Sequence, residues 1–283
     1  MSMNDLTIVI NTFNSDEKIY SCLNSIKQEF KILIVENSDN HRFKETIEKK
    51  YPNVLCELTG ENLGYAKGNN LGLSKVKSQY ALILNPDTTL ENETLSNFLI
   101  TANKIKDFAI IGPAKQDEFS CIDDHKYKDD VFQVDLLKGF AMFLNIPQFN
   151  DVGFFDSNFF IYLEEIDLCK RLREKNKKIY LDKNIKINHL GGKSHNKSID
   201  FEMELSRNWH WMWSTFYYNK KHYGYLSSLI KVSSKLFSSL LKMILFSIIF
   251  KKKKSKIYFQ RFSGLLNSII GKKSWYRPKV IIN

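Results

Sequence analysis

The sequence is short of the residues that break or brace a chain. Twelve glycines and five prolines in 283 residues exclude a collagen-like repeat, a Pro-rich linker or a low-complexity array. The four cysteines, Cys22, Cys56, Cys121 and Cys169, lie far apart with no C-x-x-C pair, so free thiols in a reducing compartment are expected. The first residues lack the charged and apolar regions of an export signal, and the chain is expected in the cytoplasm. No G-x-G-x-x-G, Walker or G-x-S-x-G pattern occurs, which weakens the dehydrogenase, NTPase and serine-hydrolase readings.

Acidic residues are scarce in one region only. Residues 201–283 carry 16 Lys/Arg against Glu202 and Glu204, a local charge of +14, whereas residues 1–200 hold 26 basic and 29 acidic groups. The overall charge of +11 therefore belongs to the tail, and a nucleic-acid-binding surface spread over the whole body is excluded. What remains is globular in composition, with 43% hydrophobic and 26% charged residues. The length suits a catalytic body over residues 1–200 followed by a basic helical region over 201–283.

Along the body, short apolar runs alternate with helical spacings. Leu6–Ile10, Lys31–Val35, Asn53–Leu58 and Gln79–Leu84 read as strands, and Asp16–Gln28, Arg42–Lys50 and Glu91–Ala102 as helices. Because the strands are continuously apolar, the fold class is α/β with a mostly parallel central sheet covered on both faces. Phe108–Gly112 and Phe132–Leu144 read as further strands around a polar loop at 115–130. A helix over 164–176 precedes short strands at Ile179–Leu181 and Ile185–His189. In such a sheet, functional groups gather at the carboxyl ends of strands, where the polar clusters at 11–14, 36–39 and 85–87 lie.

Each cluster has a chemical and a structural reading. Asp87 in Asn85-Pro86-Asp87 can hold Mg²⁺ or Mn²⁺ against phosphate oxygens, or serve as a turn residue. Glu36-Asn37-Ser38 can hydrogen-bond a nucleoside or form a polar turn. Asn62 to Asn70, with Lys67, places a cation among small residues that let backbone approach a ligand. Glu164-Glu165-Ile166-Asp167 opens a helix, where carboxylates suit the dipole and where one can act as a general base. His189, before Gly191-Gly192, can ligate metal, hydrogen-bond a diphosphate or be structural. From Leu226 to Phe250, apolar residues recur every three or four positions and are followed by Lys251 to Lys254. A spanning helix needs about 20 apolar residues, and Lys231, Lys235 and Lys242 interrupt this one. An amphipathic helix in the membrane interface fits better than a core helix.

Taken together, Thr7–Asn14, Ile34–Asp39, Asn62–Gly72, Leu84–Asp87, Val152–Asp156, Phe159–Arg171, His189–Gly192 and Lys221–Gly224 resemble family 2 inverting glycosyltransferases with the GT-A fold. The likeness spans about residues 6–224 and is greatest to the rhamnosyltransferase-like branch. It implies a Rossmann-like catalytic domain with a C-terminal membrane-associating extension. Glu165 is implied as catalytic base, with Glu164 and Asp167 supporting it or orienting the acceptor. Thr12, Asn14, Glu36, Asn37, Ser38, Asn62, Lys67, Asn69 and Asn85 are implied around the nucleotide and donor. Asp87, with His189, is implied as ligand of Mg²⁺ or Mn²⁺. Glu36 and Glu165 stand where Asp is more usual.

The implied reaction moves a sugar, L-rhamnose from dTDP-L-rhamnose or a UDP-hexose or UDP-N-acetylhexosamine residue, to a lipid-linked saccharide. The implied setting is bacterial surface polysaccharide or glycoconjugate synthesis, peripheral on the inner face of the cell membrane. No nucleic-acid partner is implied, and the oligomeric state is left open. A nucleotidyltransferase would want a Gly-rich basic loop where Asn11–Ser15 stands. A catalytically inactive membrane- or RNA-binding scaffold is the reading of another class.

Overall fold

A computed structural model describes residues 5–15, 18–114, 129–189 and 199–278. It divides into two compact units, Met1–Asp156 with Glu165–Asn196, and Ser157–Glu164 with Lys197–Asn283. The segment Ser157–Glu164 thus belongs with the C-terminal helices.

The first unit is built on an eight-stranded sheet of order β3-β2-β1-β4-β8-β6-β9-β7. Strands β1 (Leu6–Thr12), β2 (Lys31–Glu36), β3 (Val54–Leu58) and β4 (Tyr80–Leu84) run parallel. Ile8 pairs with Ile32 on one side and Leu82 on the other. All five residues of β4 are buried, which explains the unbroken apolar runs: both faces of the strand are covered. Helices α2 (His41–Lys50) and α3 (Gly64–Ser74) connect β2 to β3 and β3 to β4, and α4 (Thr94–Ile105) follows later and leads into the other half of the sheet. The Asn40 side chain caps α2 by accepting from the Phe43 N–H at 2.9 Å, and Phe43 and Ile47 enter the core one turn apart. The other half of the sheet consists of β6 (Ile110–Pro113), β7 (Val131–Gln133), β8 (Ala141–Asn145) and β9 (Ile179–Asp182). Strand β8 is antiparallel to β4, pairing Ala141 with Leu84. Its first residues therefore lie beside the carboxyl end of β4.

Several elements differ from the sequence reading. Helix α1 covers only Ile19–Asn24, ending where the Ser25 hydroxyl turns back to the Cys22 carbonyl at 2.7 Å; Asp16 and Glu17 lie outside the described residues. The strand expected over 132–144 is two, β7 and β8, with different partners. A short strand, β5 (Thr88–Leu90), precedes α4 where the helix was expected to begin at Glu91, and it pairs with β10 (Ile187–His189). That pairing joins segments about a hundred residues apart, which no local pattern announces. Helix α3 begins at Gly64 and takes in Lys67, Asn69 and Asn70. The polar loop expected at 115–130 lies, except for residues 129 and 130, outside the described residues, as do Gly191 and Gly192. Helix α5 (Glu164–Glu174) forms where expected.

The second unit contains α6 (Asp200–Tyr223), α7 (Tyr225–Ile248) and α8 (Lys252–Ile269). Gly224, at φ 81°, makes the turn between α6 and α7 that a side chain would strain. Met212, Phe216, Val232 and Leu265 form the common core. His210 is fully buried, with Nε2 2.9 Å from the Tyr276 carbonyl and Nδ1 3.0 Å from the Ser274 hydroxyl. Burial pushes its pKa down to about 3, so it is a neutral tether for the C-terminal segment. Phe160 stacks on His210 at 4.3 Å and Tyr162 meets Trp211 edge-on at 5.5 Å. Helix α8 falls within the basic helical region expected over 201–283, although its Lys252-Lys-Lys254 start reads in sequence as a charge run. Among the described residues, no helix is long and apolar enough to cross a membrane.

Candidate active site

The parallel arrangement brings the ends of β1, β2 and β4 to one edge of the sheet. At the end of β2, Glu36 is 1% exposed. Its carboxylate accepts from the Thr12 hydroxyl, from Ser38 Oγ at 2.7 Å and from the Asn14 N–H at 3.5 Å. Thr12, Asn14, Glu36 and Ser38 thus form one connected cluster, in which Asn14 adopts φ +50° and keeps a buried Nδ2 with no hydrogen-bond partner. A ligand carbonyl placed there would satisfy that donor.

Asn37 acts differently. Its side chain donates to Asn11 Oδ1 and, at 2.9 Å, to the Thr12 carbonyl, and it accepts from the Leu63 N–H at 3.2 Å. With all these bonds made inside the protein, Asn37 fastens the start of α3 to the sheet edge. Asn62 accepts from the Gly64 N–H at 3.0 Å and Asn69 donates to the Tyr65 carbonyl at 2.9 Å; both serve α3 itself. Gly68 sits against the Asn11 side chain, where a Cβ would collide. Lys67 is exposed on this helix.

Past β4, the Asn85 N–H donates to the Phe140 carbonyl at 2.9 Å, and its own carbonyl accepts the Thr88 hydroxyl at 2.7 Å. This turn delivers Asp87 to the start of β5, and the pairing of Thr88 with His189 across β5 and β10 sets the imidazole beside it. His189 Nε2 lies 3.4 Å from Asp87 Oδ1, yet that oxygen is buried without a hydrogen-bond partner. A buried carboxylate oxygen left unmatched beside an imidazole nitrogen has the donor chemistry of a divalent-cation site, Mn²⁺ tolerating the mixed O and N pair better than Mg²⁺. Among the described residues, no third carboxylate, imidazole or thiol joins them. The His189 ring stacks on Phe140 at 4.5 Å.

Glu165 stands in the first turn of α5, with its Oε2 buried and without a hydrogen-bond partner. Burial raises its pKa, while the N–H groups of Glu165 and Ile166 and the Lys138 ammonium pull it back down. The result is a carboxyl with raised proton affinity, the property a general base requires near neutral pH. Gly139 explains the placement: a Cβ there would lie 2.9 Å from the Tyr65 hydroxyl and 3.6 Å from Glu165 Cβ, and Tyr65 donates to the Gly139 carbonyl. The segment Lys138-Gly139-Phe140 therefore adjoins Glu165, helix α3 and the Asp87–His189 pair within three residues.

Asp167 is fully buried and holds Arg171 Nε at 2.8 Å. Arg171 in turn donates to the Val152 carbonyl at 2.8 Å and to that of Phe154, clamping the preceding loop to α5. Glu164 is buried at the head of the same helix. Tyr65, Lys138, Gly139 and Arg171 were not singled out as site residues by the sequence. Asn70 is another, gripping the Phe155 backbone at 2.8 and 3.0 Å. Only their partners reveal them. The thiols of Cys22, Cys56 and Cys169 are free, and burial pushes each up to about 12, which removes them as nucleophiles.

Comparison with known proteins bears on this arrangement. Residues 7–169 match the family model described as Glycosyl transferase family 2. The chain is 24% identical over 197 residues to the low-salt glycan biosynthesis hexosyltransferase Agl10 of Haloferax volcanii, across 62% of this chain and 63% of that protein. It is 27% identical over 191 residues to rhamnosyltransferase WbbL of Escherichia coli K12, across 55% of this chain and 71% of that one. The mannosyltransferase PcManGT from Pyrobaculum calidifontis, solved with GDP-Man and Mn²⁺, superposes with a TM-score of 0.58 at 11% identity, covering 95% of this chain and 88% of its own. That likeness shows the fold, the GT-A arrangement implied by the motifs.

Proposed function

Because the chain belongs to glycosyl transferase family 2, we propose that it is an inverting transferase that moves a sugar from a nucleotide donor to a saccharide hydroxyl. The observation that carries this reading is the Lys138–Phe140 segment, which adjoins both a buried, proton-avid carboxyl and a carboxylate–imidazole pair. Glu165 accepts the proton of the acceptor hydroxyl. The freed oxygen attacks the anomeric carbon as the bond to the nucleoside diphosphate breaks, so the anomeric configuration inverts. Asp87 and His189 would hold a divalent cation, which when bound neutralises charge on the diphosphate. Thr12, Asn14, Glu36 and Ser38 line the nucleoside end, and Asn37, Asn62 and Asn69 brace the helix beside it. Lys67, exposed at that end, adds positive charge for the diphosphate, and Asn85 shapes the turn that presents Asp87. Asp167 positions α5 through Arg171, and Glu164 supports the helix start.

The donor we favour is dTDP-L-rhamnose or a UDP-hexose, in keeping with the rhamnosyl- and hexosyltransferase relatives. A lipid-carried acceptor is favoured by the second unit. On α7, Leu226, Ile230, Phe237, Leu241 and Ile248 are 64 to 78% exposed and repeat at helical spacing, an apolar stripe suited to lying in a membrane interface beside basic residues. A panel of nucleotide sugars, each with and without Mn²⁺, followed by thermal shift and product analysis, tests the transferase reading. Stabilisation by one of them and a transferred sugar are expected; neither binding nor hydrolysis of any donor would favour the inactive scaffold.

A further inference from the structure

The C-terminal unit contains a basic cleft in which none of the residues assigned above takes part. A hollow of about 410 Å³ opens between α7 and α8, lined by Lys235, Lys242, Arg261, Ser238, Ser239 and Tyr258 among others. Lys235 and Lys242 are two turns apart and share one face of α7. That face lies between the buried side, marked by Val232 and Ser239, and the exposed apolar stripe. Lys242 lies 5.4 Å from the Tyr258 ring and Arg261 lies 5.8 Å from it. Among the described residues none of the three cations has a carboxylate partner, and residues 201–283 hold only Glu202 and Glu204. Three cations lining one cleft without a counter-charge create a positive potential that an anion would offset.

A second observation indicates where that anion sits. Arg261 Nε is buried and has no hydrogen-bond partner, although the same side chain reaches Asn208 Oδ1 at 3.5 Å. An unmatched guanidinium N–H on an arginine that lines one cleft with two lysines and three serines is a donor set suited to a tetrahedral oxyanion. Arginine supplies the directional bond, and the lysines supply charge.

We propose that the α7–α8 cleft binds the phosphate group of a lipid head. The choice of a lipid over free phosphate rests on the membrane attachment proposed above, because the cleft flanks the apolar stripe that would lie among the acyl chains. Phosphorus NMR of dihexanoyl phosphatidic acid below its micelle concentration, titrated with the full chain, reads the site without any membrane. Saturable broadening is expected, with inorganic phosphate binding at least tenfold more weakly. Lys235→Ala/Lys242→Ala should weaken phosphatidic acid at least tenfold. Lys251→Ala/Lys252→Ala, which removes the same charge outside the cleft, should change it less than threefold. No saturable signal, or equal losses in the two double variants, overturns the site. Inorganic phosphate binding as tightly as the lipid overturns the lipid assignment. Should vesicle attachment fail while phosphatidic acid still binds in solution, the attachment reading falls and the cleft stands.

Discussion

At the scale of single residues, the site depends on two buried oxygens that have no hydrogen-bond partner. Glu165 Oε2 and Asp87 Oδ1 each carry a desolvation cost that a purely structural residue would have relieved with a hydrogen bond. Glu165→Gln keeps the shape and removes the base, so turnover should fall about 10²–10⁴-fold with the melting temperature preserved or raised. The sign follows from linkage. A carboxyl whose native pKa is raised binds more protons folded than unfolded, so its contribution to stability is complete below the unfolded value of about 4.3 and is lost as pH rises through the folded one. The Gln variant should therefore melt above wild type at pH 7, and the gap should close as the pH approaches 4. Wild-type turnover should rise with pH through that same raised pKa. For Asp87→Ala, loss of Mn²⁺-dependent donor binding by calorimetry and a fall in turnover of about 10²-fold or more are expected. Retained Mn²⁺ dependence would remove Asp87 from the cation site.

At the scale of elements, α5 is held by a buried ion pair. Asp167 is fully enclosed and Arg171 mostly so, and the guanidinium also binds the 152–154 loop. Arg171→Ala strips a buried carboxylate of its cation and should cost about 3–5 kcal/mol in urea unfolding. Asp167→Asn with Arg171→Met should recover part of that loss. The i,i+4 spacing of these residues is visible in the sequence. Their task is not, because the carbonyls they hold belong to a loop folded back on the helix. The same limit applies to β5. Thr88-Thr89-Leu90 is too short to stand out against the helix that follows, and it becomes a strand only because Ile187–His189 arrives beside it. The continuous apolar runs, by contrast, are enough to place the ends of β1 to β4 within two residues.

At the scale of the molecule, charge and apolar exposure divide by unit. The body, with 26 basic and 29 acidic groups up to residue 200, carries the carboxylates of the site. The C-terminal unit carries the basic excess and the α7 stripe. Deleting residues 226–283 would be a poor test of that stripe, because α8 packs against α6 and Gly264 lies against the Trp209 backbone. Ile230→Glu/Leu241→Glu changes two side chains that are 78% and 66% exposed and should leave the melting temperature within a degree or two. Flotation with phosphatidylglycerol vesicles should fall more than tenfold, since each side chain contributes about 1.5–3 kcal/mol when removed from water. Binding by wild type should also weaken as salt rises. Unchanged flotation of the variant would exclude the stripe as the contact.

The sequence by itself determined the sheet, its parallel half, the strand ends where polar residues collect and the split of charge between body and tail. These follow from short-range periodicity and composition, which every stretch of chain carries within itself. Only the tertiary structure decided that Asp87 meets His189, that Gly139 leaves room for Tyr65 beside Glu165, and that Asn37 is a brace. It also decided that the basic tail encloses a cleft between α7 and α8. These depend on contacts between residues tens to a hundred positions apart, formed once burial has fixed the register of the strands and the facing of the helices.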